Sequence, residues 1–83
     1  SYPDALVSLG NSFLKEKNYS KAKQYLSRAI SEAKEIGSAS SLKEGARLLA
    51  QVHELEGNYK EAFKNYVVFK EMTDSLFNRG YYD

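Results

Sequence analysis

Cysteine is absent from the 83 residues. Neither a disulfide framework nor a thiolate metal site can therefore reinforce a core that, at this size, supplies only about 3–5 kcal/mol of net stability. The same absence leaves the compartment open, and a cytoplasm and a bacterial-type periplasm both fit. No apolar run approaches the roughly 20 residues that span a bilayer, so no direct membrane contact is expected of this segment. No charged-then-apolar leader opens the chain. It begins Ser1-Tyr2-Pro3 without an initiator Met, which reads as a piece of a longer protein. A surplus of either charge is also missing, with twelve Lys and Arg against eleven Asp and Glu. Nucleic-acid binding needs a cationic footprint to displace counterions, so no nucleic-acid partner is expected. The charges alternate in sign, as in Lys15-Glu16-Lys17 and Glu56…Lys60, which suits a solvated helix face. No stretch alternates with period two for long enough to make a strand.

Helical periodicity fills the space these absences leave. Leu6, Leu9, Gly10, Phe13 and Leu14 recur at i, i+3, i+4, i+7 and i+8, one face of a first helix. Pro3 suits its first turn and Asp4 its positive end. Lys17-Asn18-Tyr19 interrupts the pattern, and Asn18 suits both a left-handed turn and a helix cap. A second helix carries Ala22, Tyr25, Leu26, Ala29, Ile30 and Ala33, with Ile36 extending the stripe, and Gly37 ends it. Ser41 and Glu44 then have the spacing of a capping box. The third helix has two apolar stripes, Leu42-Ala46-Leu49-Ala50-His53 and Leu48-Val52-Leu55, which places it inside a stack. Gly57-Asn58-Tyr59 closes it. The fourth carries Ala62, Tyr66, Phe69, Thr73 and Leu76, with Phe63, Val67 and Val68 beyond that face. Asn78-Arg79-Gly80 reads as the final stop.

Lys17-Asn18-Tyr19-Ser20-Lys21-Ala22 recurs forty residues later as Gly57-Asn58-Tyr59-Lys60-Glu61-Ala62. Leu9-Gly10 aligns with Leu49-Ala50, Phe13 with His53, Leu26 with Tyr66, and Ala29 with Phe69. Self-similarity at this period marks a stack of helix pairs. With these residues the chain resembles the tetratricopeptide repeat family over nearly its whole length. The resemblance implies an all-α fold of two antiparallel helix-turn-helix hairpins in a short right-handed superhelix. One repeat would span 3–37 and the next 41–78, with a tail at 79–83, all in a single domain. In this reading Gly10, Ala22, Ala50 and Ala62 sit where paired helices approach most closely, and Tyr19 and Tyr59 wedge beneath the turns. The chain departs from the pattern at several points. Leu6 and Ala46 stand where a bulky residue is commonest, Lys17 replaces the turn glycine, Phe69 replaces a small residue, and a terminal proline is missing from both units.

The sequence offers no catalytic constellation, no converging metal ligands and no phosphate-binding loop, so neither an enzyme nor a cofactor is expected. His53 reads as a packing residue, and most of the seven tyrosines already have packing positions. The resemblance implies a protein or peptide partner held on the concave face. The lining would be Asp4, Val7, Asn11, Leu14 and Lys15 from the first unit, and Glu44, Arg47, Gln51, Glu54 and Leu55 from the second. These positions are also ones that a solvated face without ligand would show. A carboxylate clamp of the kind some members use is not implied. Asn11 matches it, but Val7 stands at the lysine site and Leu48 at the next polar one. Phe63, Val67 and Val68 would meet a further repeat or a second copy of the chain; a tail folding back through Phe77, Tyr81 and Tyr82 is the other cover. The run from Val68 to Asn78 looks like the last repeats of bacterial sensor regions, which implies an alternative role as a spacer in a histidine kinase or transcriptional regulator.

Overall fold

A computed structural model describes residues 2–82, with side chains described for 2–74. Four helices follow one another: α1 (Tyr2–Lys15), α2 (Tyr19–Ile36), α3 (Ala39–Leu55) and α4 (Tyr59–Tyr82). Connections of three residues fold α1 onto α2 and α3 onto α4 as two hairpins, and the hairpins, linked by residues 37–38, stack through α2 and α3. Helix α1 also touches α3, so three helices meet at the centre, while among the described residues α4 packs on α3 alone. The dimensions, 40 × 27 × 19 Å, are those of a slab two helices deep, each about 10 Å across.

Small residues set how closely the helices lie. Gly10 is buried against α2, where a Cβ on it would sit 2.6 Å from Leu26 Cγ and 2.7 Å from its Cδ2. Leu26 and Ala22 have no exposed surface, and Ala50 and Ala62 are 0 and 4% exposed at the matching joint of the second hairpin. A glycine the periodicity did not single out, Gly45, serves the centre. Its missing Cβ would lie 3.0 Å from Ile30 Cγ1 on α2 and 3.8 Å from Val7 Cγ2 on α1. Leu14, Ala22, Leu26, Leu48, Leu49 and Val52 form the core around these contacts. The buried residues of α3 lie on several sides of the helix, as its two stripes imply.

Each turn closes with one hydrogen-bonded pattern. The N–H after the left-handed residue reaches back five positions: Asn18 to Phe13 (2.9 Å), Ser38 to Ala33 (2.8 Å) and Asn58 to His53 (2.8 Å). Gly37 and Gly57 hold positive φ at 75° and 79°, as does Lys17 at 62°. Lys17 therefore takes the left-handed conformation in the first turn, at a cost of roughly 1–2 kcal/mol for a residue with a Cβ. Asn18 is the cap instead, accepting from the Lys21 N–H at 3.3 Å.

Several expectations are corrected. Helix α3 starts at Ala39, so Ser41 lies inside it and caps nothing. The Ser41 hydroxyl is buried and donates to the Asp4 carboxylate across the α1–α3 contact, while Glu44 pairs with Arg47. Leu9 is 40% exposed rather than buried with the rest of its stripe. Ile36 and Tyr59 are also exposed. Tyr19 is covered by the core that α3 completes, whereas among the described residues no further helix covers Tyr59. Glu56 pairs with Lys23 on α2 at 2.8 Å rather than with Lys60. Helix α4 runs past Asn78-Arg79-Gly80 to Tyr82; a lone helical glycine costs only about 1 kcal/mol and no proline stops the chain. The side chains of Leu76, Phe77, Tyr81 and Tyr82, and all of Asp83, lie outside the described residues.

Gly10→Ala is expected to destabilise the fold by about 1–3 kcal/mol, since overpacking outweighs the helix-propensity gain of about 1 kcal/mol. Gly45→Ala, with a shift of only a few tenths of an ångström to absorb, should stay within about 1 kcal/mol of the parent. Urea unfolding followed by circular dichroism separates the two. Equal losses would contradict this ranking.

Candidate functional site

Helices α1 and α3 meet near their N-terminal ends. At the N-terminal end, Asp4 binds Ser41, and Val7 packs beside Gly45. Small residues on α3 permit that approach. Toward the C-terminal ends, Leu14, Tyr19 and Leu48 belong to one apolar cluster that borders the space between the helices. The result is an open cleft of about 370 Å³, at the small end of the 300–1,000 Å³ range of ligand sites.

Its walls follow from helical spacing. Asn11, Leu14 and Lys15 share one face of α1, and Arg47, Leu48, Gln51 and Leu55 share one face of α3. Lys17 and Tyr19 close the end at the first turn. Leu14 and Leu48 form a buried apolar floor, and Leu55 stands on the rim at 55% exposure. The Arg47 guanidinium is fixed at 2.8 Å by Glu44, one helical turn earlier. That hydrogen bond holds the Glu44 carboxyl below its usual range and raises Arg47.

Six of the ten residues that the sequence proposes as a lining border this one cleft: Asn11, Leu14, Lys15, Arg47, Gln51 and Leu55. Four do not. Asp4 and Val7 are engaged where α1 meets α3, Glu44 is engaged by Arg47, and Glu54 turns toward α4. The Tyr66 hydroxyl donates to Glu54 at 2.9 Å. Burial and that carboxylate hold the Tyr66 phenol above its ordinary value.

Residues 3–36, all of the first hairpin but Tyr2, match the family model of the tetratricopeptide repeat. The first hairpin is a tetratricopeptide repeat. The second hairpin repeats its turn, its small-residue joint and its hydrogen bonds forty residues on. No curated protein and no solved structure matches the chain. A tetratricopeptide repeat suggests a module for protein–protein interaction, and the family is typically a non-enzymatic scaffold.

Three lining residues of the repeat pair escape a reading by family position. Lys17 enters through its turn, Tyr19 through its packing, and Leu48 through the second stripe of α3. A second hollow, about 250 Å³, lies at the other end of α2 between Ala33, Gly37, Ala39, Leu42 and Met72; it brings few polar groups together. His53, aligned with the Phe13 that stacks on Tyr25 at 5.4 Å, is half-buried with its Nδ1 enclosed and unpartnered. Among the described residues no three His, Asp or Glu side chains cluster as metal ligands, and no helix is long and apolar enough to cross a membrane. On α4, Phe63 is 69% and Val67 38% exposed, while Val68 is half-buried.

The Glu44–Arg47 pair has a defined pH signature. Because the Glu44 pKa is depressed in the fold, its contribution is present above the free glutamate value near 4.3 and is lost as pH falls through the lower folded value. Both groups are about two-fifths exposed, so the effect should stay below about 1 kcal/mol. Comparing the parent with Glu44→Gln should show a small stability gap at neutral pH that closes below about pH 4. A gap that widens on acidification would contradict the assignment.

Proposed function

We propose that the chain is a non-enzymatic protein–protein interaction module that takes a peptide or protein segment in the cleft between α1 and α3. One observation carries this reading. The cleft combines a buried aliphatic floor, Leu14 and Leu48, with a rim of amides and cations that no other element covers among the described residues. An apolar floor with a few convergent polar groups is what a bound segment needs for affinity and orientation. Its lining offers no serine, cysteine, histidine or carboxylate, so it holds and orients rather than transforms.

The exposed stripe Tyr59, Phe63 and Val67 on α4 favours a second reading, a spacer that pairs with a second copy of the chain. In that case Val67→Glu should lower the mass seen by light scattering at high protein concentration. A mass that is monomeric for both proteins would remove the second reading.

For the leading reading, peptides selected from a random linear library should shift the backbone amides of Asn11, Leu14, Gln51 and Leu55. Leu55→Glu, an exposed substitution, should leave the spectrum folded and weaken those peptides about tenfold or more. Selected peptides that map elsewhere and bind Leu55→Glu equally well would refute it.

A further inference from the structure

We propose that the segment the cleft accepts is acidic, carrying aspartate or glutamate beside one aliphatic side chain that seats on Leu14 and Leu48. This rests on the cleft reading above and adds the chemistry of the occupant. Three of the nine lining residues are cations, Lys15, Lys17 and Arg47, and none is an anion. Over the whole chain the two signs nearly balance, so the bias is local. Among the described residues, Lys15 and Lys17 enter no ion pair. Glu16, between them in sequence, is not part of the lining. Arg47 is paired with Glu44, but a guanidinium has five donors, and the pairing fixes its direction.

Lys17 supplies an independent argument. Its position in the first turn corresponds to Gly57 in the second, and the two turns make the same hydrogen bonds. A Cβ at Gly57 would meet nothing within 4 Å, so crowding does not distinguish the two turns. Both take positive φ, a conformation that glycine adopts freely and lysine does not. The first turn thus keeps a strained residue at the position that borders the cleft. Strain of this kind collects at functional sites. What the side chain adds in return is a third cation at the mouth of an apolar-floored cleft, where partial desolvation strengthens attraction to a carboxylate.

The test titrates the protein with three acetylated and amidated pentapeptides, following backbone amide shifts. The first is Gly-Asp-Leu-Asp-Gly, the second its neutral isostere Gly-Asn-Leu-Asn-Gly, and the third Gly-Asp-Ala-Asp-Gly. The first should shift Asn11, Leu14, Lys17 and Gln51 and bind severalfold tighter than either of the others. Its advantage over the isostere should shrink at high salt. Lys17→Gly should raise Tm by a few degrees and yet lose most of that advantage. Lys17→Met, which keeps the strained turn without the charge, should lose it without the gain in Tm. Equal binding of acidic and neutral peptides at these amides, or undiminished acidic binding by both Lys17 variants, overturns the inference and leaves the cleft reading standing. No shift at these amides with the acidic peptide also overturns it, and the library selection then decides the cleft reading separately.

Discussion

The contact between Gly10 and Leu26 is the constraint on which the rest of the structure depends. A side chain of any size on Gly10 would collide with Leu26, so the absence of one is what lets α1 lie flush on α2. Leu26 is then sealed from water and becomes the hub of a core made largely of alanines and leucines. In a chain this small, such close packing replaces bulk. Ala50 occupies the equivalent notch in the second hairpin with its Cβ in place. Tyr66, at the position that aligns with Leu26, is 37% exposed and tied by its hydroxyl to Glu54. The two hairpins share a framework, and their joints are filled differently.

From that joint the cleft follows by geometry. With α1 fixed on α2, and α3 drawn in at Gly45 and Ser41, the two first helices of the hairpins must meet at their N-terminal ends. Leu14, Tyr19 and Leu48 line the space between them toward the other end. The cleft lies beyond that contact, where Leu14 and Leu48 stand in place of the small residues Ser41 and Gly45. The chemistry of its rim is set by the residues that helical spacing brings to that mouth, and by a turn that bears lysine where its counterpart bears glycine.

Much of this was legible in the sequence. The four helices and the forty-residue internal repeat follow from periodicity and self-similarity, because each is a local or pairwise pattern, and the resemblance implies the small-residue joints at Gly10, Ala22, Ala50 and Ala62. Six of the ten residues that the resemblance implies as a lining border one cleft. What was not legible depended on how the hairpins stack. Gly45 looked like one more helical residue until Ile30 and Val7 converged on it. Ser41 fitted a local capping rule, but a long-range partner, Asp4, took its hydroxyl. Glu54 shares a helix with the cleft residues, yet α4 offered it a tyrosine hydroxyl. Leu9 fitted the apolar stripe and is still exposed, since periodicity shows which residues share a face and not how far a neighbour covers it. Asn78-Arg79-Gly80 carried a stop signal too weak to end a helix.

The most direct test of this account is a nuclear Overhauser measurement between helices α1 and α2. Strong cross-peaks from the Gly10 Hα protons to the Leu26 methyls, with further ones from Gly45 Hα to the Ile30 side chain, are the predicted result. A well-resolved spectrum in which the Gly10 Hα protons show contacts only within α1 would contradict it.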